Sequence, residues 1–139
     1  MQPLNLKKLR NPSLYIAPSK LGGRGVFTGV HIKKGELIEI CPVIILKDGE
    51  SKVLDTTTLY DYYFFWGEGE KQSCIALGYG SLYNHYAPSN ADYLMDYGTT
   101  SIEVFAVRNI DIGDEITINY NGDPNDKTPP WFLMDGKKR

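Results

Sequence analysis

The chain is poor in cysteine, in histidine and in basic charge, and it has no long apolar run. Among 139 residues there are two cysteines, Cys41 and Cys74, and two histidines, His31 and His85. The cysteines stand far apart with no CxxC spacing, which excludes a disulfide framework and leaves no metal site; two buried thiols are expected. Lys and Arg number 15 against 17 Asp and Glu, for a net charge of −2. A general nucleic-acid binder needs a dense basic surface, so direct nucleic-acid contact is not expected. A mildly acidic protein is better placed to receive a basic peptide. No stretch is apolar over the length of a bilayer, and Met1-Gln2-Pro3-Leu4-Asn5 has no apolar leader core. The expectation is a soluble intracellular protein without membrane contact. Helical periodicity is scarce too, with no segment sustaining it beyond about two turns.

What the chain has in quantity is tyrosine, glycine and proline, at 10, 14 and 8 residues. That mixture favours many short strands joined by turns, and the length suits one domain. Strands are expected at Leu14–Ala17, from Val26-Phe27, at Leu37–Ile40 and Val43–Leu46, through the aromatic run Leu59–Trp66, at Cys74–Leu77 and at Glu115–Tyr120. Pro42, between two apolar β-branched runs, predicts a bulge or a sheet edge. Tyr93–Tyr97 and Ile102–Val107 predict a hairpin about Gly98-Thr99-Thr100. Residues Lys47–Thr58 read as loop, and His31 as a surface residue in a turn.

Three separated clusters carry chemistry. The first is Gly22-Gly23-Arg24-Gly25-Val26-Phe27, where glycines allow a positive φ or a close backbone approach. The second is Leu77-Gly78-Tyr79-Gly80-Ser81-Leu82-Tyr83-Asn84-His85, with Asn90 following, which places an amide beside an imidazole. The third is Gly113-Asp114-Glu115-Ile116-Thr117-Ile118-Asn119-Tyr120, a turn and a strand ending on a tyrosine. Each alone reads as ordinary structure, since tight turns, satisfied histidines and packed tyrosines are common.

In this order, from Leu14 to Tyr120, the clusters resemble the SET-domain family of protein lysine methyltransferases. Gly23-Arg24-Gly25 matches the family's early GxG turn. Ser81-Leu82-Tyr83-Asn84-His85-Tyr86-Ala87-Pro88-Ser89-Asn90 matches its central R-F-x-N-H-S-C-x-P-N signature, with Ser81 in place of arginine and Tyr86-Ala87 in place of Ser-Cys. Glu115-Ile116-Thr117-Ile118-Asn119-Tyr120 matches its E-L-T-F-D-Y signature. The flanking zinc-binding cysteines of many members are missing, as in short viral and bacterial-type ones.

The resemblance implies a mainly β, β-clip fold of several small sheets with little helix. Its C-terminal segment would thread under a loop as a pseudoknot, an exception to the usual avoidance of threading. An N-terminal arm over 1–12, a SET domain over 13–121 and a tail over 122–139 are expected. The implied activity is methyl transfer from S-adenosylmethionine to a lysine of a protein substrate, a histone among the candidates. Gly23, Arg24, Gly25, Asn84, His85 and Tyr120 would hold the cofactor, Tyr120 would be catalytic, and Tyr62, Tyr79, Ile118 and Trp131 would line the lysine channel. No metal is implied. A homodimer completing the substrate groove is a further expectation, as is a nuclear location if the cell is eukaryotic. Two other readings are a catalytically silent SET-like binding module and a small β-rich interaction domain without cofactor.

Overall fold

The computed structural model describes residues 9–130. Among these residues nine strands form two sheets. The first holds β1 (Leu14–Pro18), β2 (Arg24–Thr28), β6 (Asn84–His85) and β9 (Glu115–Ile118), in the order β1-β2-β9-β6. The second holds β3 (Leu37–Ile45), β4 (Phe64–Trp66), β5 (Gln72–Ala76), β7 (Ala91–Asp96) and β8 (Ser101–Ala106), in the order β4-β5-β3-β8-β7. Their inward residues meet in one apolar core, which includes Val26, Ile38, Trp66, Ile102, Val104, Ile116 and Ile118.

Alternation explains most of this. In β8, Ile102, Val104 and Ala106 are buried while Glu103 and Phe105 are partly exposed, the two-residue period of a half-covered strand. β7 and β8 form the expected hairpin, in register from Ala91↔Ala106 to Asp96↔Ser101. Its turn is held by Asp96 Oδ1, which accepts the N–H of Gly98 at 3.0 Å and of Thr99 at 3.2 Å, a side-chain-supported turn. His31 is exposed, 3.2 Å from Asp111.

Three expectations are corrected. The run Leu59–Trp66 is not one strand: Thr58–Asp61 form a 3-10 turn and only Phe64–Trp66 extend. Local hydroxyls decide this. Thr57 Oγ1 donates to Leu54 O and accepts from Leu59 N, and Thr56 Oγ1 donates to Val53 O, so threonine side chains supply the backbone with partners a strand would have offered. They also extend a short helix, α1 (Glu50–Leu54), inside the stretch read as loop. Pro42 marks neither bulge nor edge. β3 is central; it pairs with β8 up to Pro42 and with β5 from Val43 on, and its bulge lies between Leu37 and Glu39. The missing proline donor falls at the changeover between partners, where it costs no ladder bond.

The site depends on β9. It pairs antiparallel with β2 and parallel with β6, through Asn84↔Thr117 and His85↔Ile118. Beyond it the chain returns across the loop after β6, where Ser89 N donates to Pro124 O at 3.0 Å and Arg108 Nε to Ser89 O at 3.1 Å. This interleaving is the contact pattern that the expected knot requires. At the other end, residues 9–11 join β3: Ile40 N donates to Leu9 O and Asn11 N to Ile38 O.

Candidate active site

The three sequence clusters meet at one carboxylate. Glu115 opens β9, and its Oε2 accepts from Asn84 Nδ2 at 2.8 Å while its Oε1 accepts from Ser19 Oγ at 2.6 Å. The same Asn84 nitrogen donates to Arg24 O at 3.0 Å and reaches Gly22 O at 3.4 Å. Asn84, 3% exposed, thus ties the glycine turn to the start of β9. Gly25 is glycine because of this latch: a Cβ there would lie 2.1 Å from Glu115 Oε2 and 3.0 Å from Asn84 Nδ2. Gly22 and Gly23 have φ of 131° and 54°, and nothing stands within 4 Å of where their Cβ atoms would be. Their bare backbone faces open space, a conformation and an approach that side chains resist. Asn90 secures the strand from the other side, donating to Glu115 O and accepting from Thr117 N, both at 2.8 Å.

Tyr120 is anchored twice to the segment containing Asn84. Its hydroxyl donates to Tyr83 O at 2.7 Å, and its backbone N–H donates to His85 Nδ1 at 3.0 Å. The second bond requires His85 Nδ1 to carry no proton, which fixes the tautomer of a neutral ring. With its hydrogen committed to Tyr83, the Tyr120 oxygen keeps its lone pairs as acceptors. β9 ends at Ile118, two residues before this tyrosine, because Asn119 turns its amide to Asp126 O at 2.7 Å and Tyr120 turns to His85.

Tyr120 lies on the wall of a cavity of about 340 Å³, shared with Tyr60, Tyr62, Phe64, Tyr93 and Met95. Phe64 meets Tyr93 edge-on, ring centroids 5.5 Å apart. Asp55 and Asp61 also border it; Asp55 accepts the Tyr63 hydroxyl at 2.6 Å, and burial, aided by that bond, holds the Tyr63 phenol well above its usual range. Such a chamber suits the CH₂ stem of a lysine and tolerates a cation against ring faces.

Two of the other expected channel residues, Tyr79 and Ile118, lie elsewhere. Tyr79 sits beneath Arg10, whose guanidinium is 3.9 Å from its ring centroid, away from the cavity. Ile118 is 1% exposed in the core and is not on the cavity wall. Trp131 lies outside the described residues. Arg24 contributes its carbonyl to the latch, its side chain being exposed. Tyr93, Met95 and the latching role of Glu115 were missed from sequence. The signal for Glu115 was a glutamate heading an apolar strand; Tyr93 gave no signal apart from ordinary β-propensity.

Among the described residues no group of His, Cys, Asp and Glu could hold a metal ion, and no helix is long and apolar enough to cross a membrane. Cys41 and Cys74 are buried free thiols.

The SET domain family model matches residues 23–121. A Schizosaccharomyces pombe histone-lysine N-methyltransferase specific for H3 lysine-37 is 31% identical over 118 residues, 84% of this chain and 78% of that protein. A crystal structure of a Plasmodium falciparum protein assigned as a histone methyltransferase superposes with a TM-score of 0.60 at 35% identity, covering 79% of this chain and 94% of the other. With the glycine turn, the Asn-His pair and the terminal tyrosine assembled about β9 and the family model spanning them, the chain belongs to the SET domain family.

Proposed function

We propose that this protein transfers a methyl group from S-adenosylmethionine to the ε-amine of a lysine in a basic protein segment, with histone tails the foremost candidates. The observation that carries the reading is the Tyr120 hydroxyl: on the wall of an aromatic cavity, with its proton donated to the Tyr83 carbonyl.

The residues present fit the cofactor. The open backbone at Gly22 and Gly23 leaves room for its amino-acid end beside Arg24 and Gly25, and the Asn84-His85 strand supplies main-chain groups for the rest. When bound, it supplies an electrophilic methyl on a sulfonium. The chain's own residues do the remainder. Asp55 and Asp61 attract a basic side chain. Tyr62, Phe64 and Tyr93 strip water from its amine. Free lysine has a pKa of about 10.4, so about one in 2,500 is neutral at pH 7, and only the neutral amine has a lone pair. Burial against apolar walls lowers that pKa, as does a nearby positive charge. The Tyr120 oxygen, an acceptor fixed by its bond to Tyr83, orients the amine N–H groups. Alignment supplies most of the remaining gain.

The test is radiolabelled methyl transfer onto a histone panel and a whole-cell lysate, with mass spectrometry of labelled bands. Label on lysine, rising in rate from pH 7 to about pH 9, is expected. A chain that binds the cofactor and labels nothing is a silent binding module; one that does not bind it is an interaction domain. Light scattering at assay concentration tests the homodimer.

A further inference from the structure

Among the buried polar side chains of the described residues, Glu39 alone is a carboxylate, at 2% exposure on β3. It has gathered donors. Oε1 accepts the Tyr83 hydroxyl at 2.7 Å and Oε2 the Tyr79 backbone N–H at 2.9 Å. Arg10 Nη1 stands 3.6 Å from Oε2 while its guanidinium covers the Tyr79 ring. Gly78 is tailored to it, since a Cβ there would lie 2.3 Å from Oε2.

A buried carboxylate is expensive to desolvate, and packing alone is served as well by an apolar residue. What it gains here is geometry. Tyr79 and Tyr83 flank the turn Gly80–Leu82, and Glu39 grips both ends. The Tyr83 carbonyl leaving that turn is the acceptor of the Tyr120 hydroxyl, and the next residue is Asn84. We propose that Glu39 is a positioning residue for Tyr120. By clamping the 79–83 turn it aims the carbonyl that orients the catalytic hydroxyl, and Arg10, from the N-terminal segment, closes the clamp. This role in turnover rests on the methyl-transfer reading; the clamp itself does not.

The experiment is Glu39→Gln. A glutamine has one acceptor oxygen, which the Tyr79 N–H takes, so the Tyr83 hydroxyl meets an amide N–H₂ and exchanges its charge-assisted bond to a carboxylate for a weaker, reversed one. kcat falls about tenfold with peptide KM nearly unchanged, since small misplacement of a reacting group is felt in turnover. In a Tyr120→Phe background the same change has no further effect on kcat, because its effect runs through the missing hydroxyl; additive losses overturn the proposal. Independently of activity, 3-fluorotyrosine placed at position 120 is followed by fluorine NMR. Its resonance moves in Glu39→Gln and stays in place in the surface control Glu50→Gln. An unmoved resonance overturns the proposal whatever the activity. A moved resonance in a chain whose wild type transfers no methyl upholds the clamp and removes the methyl-transfer reading. If Glu39→Gln does not fold, Tyr83→Phe, which deletes only the hydroxyl bonded to Glu39, is read by the same criteria.

Discussion

The Tyr120 hydroxyl donates to the Tyr83 carbonyl at 2.7 Å across 37 residues of sequence. Tyr120→Phe deletes that oxygen and keeps the ring. Stability falls by about 1 kcal/mol, the net worth of one hydrogen bond, and the fold survives. Turnover drops about 10²- to 10³-fold, as for loss of a positioned polar group at a reacting centre. Single-turnover rates beside thermal melts check both parts; near-wild-type turnover would dismiss the hydroxyl from the chemistry.

Gly25→Ala tests the latch. The new Cβ collides with the Glu115 carboxylate, which gives way and releases Asn84 and Ser19. The melting temperature falls by about 5 °C, and the rise produced by S-adenosylhomocysteine in wild type shrinks or vanishes. Asn84→Ala loses the same ligand-induced rise. If either variant keeps it in full, the latch is not what shapes the cofactor site.

Asp92 on β7 supplies a pH test. Burial raises its pKa, with the Asp123 charge adding and the Tyr93 N–H opposing. A carboxyl raised in the native state contributes stability that is full below its ordinary value of 3.8 and is lost as pH rises through the native value. At neutral pH the ionised group is therefore a liability. Asp92→Asn keeps an oxygen for Tyr93 N–H, now at 2.8 Å, and raises the melting temperature at pH 7 by about 2 °C. Near pH 3 the two proteins melt together. A gain that is the same at both pH values would assign it to something other than charge.

The thiols should be silent. Burial pushes Cys74 up to about 12 and Cys41 well above the usual thiol range, the latter helped by the Glu39 charge. Thiolate is the reactive form, so iodoacetamide at pH 8 leaves the native protein unlabelled and modifies both cysteines in guanidinium. Rapid native labelling, read by intact mass, would show that one of them is open to solvent.

How much of this was written in the sequence varies by element. The β7–β8 hairpin was plain, because its alternation and its Gly98-Thr99-Thr100 turn are local. Glycine turn, Asn-His pair and terminal tyrosine were legible as motifs, and the implied knot brings residues 84–85 and 115–120 together, but the Glu115 carboxylate as the joint was not legible, because nothing local to Ser19 or Glu115 marks a latch. The aromatic run Leu59–Trp66 misled because threonine hydroxyls before it stabilise a turn that β-propensity ignores. Pro42 misled for a related reason: its effect depends on which neighbour β3 has at that residue. Tyr79 and Ile118 have the composition of channel residues, yet Arg10 covers one and the core encloses the other.

The parallel pairing of β6 with β9 has a consequence for synthesis. β9 lies between β2 and β6, so β2 has only β1 beside it and the Asn-His strand has no sheet neighbour until residues 115–118 arrive. Contacts this distant in sequence form late and slowly. Once residue 106 has left the ribosome the hairpin and the β3 ladder have their partners, but the unpaired flanks of β2 and β6 wait as sticky edges. The nascent chain therefore lacks the proposed cofactor site, and its exposure to aggregation ends with the same strand that brings that site's residues together.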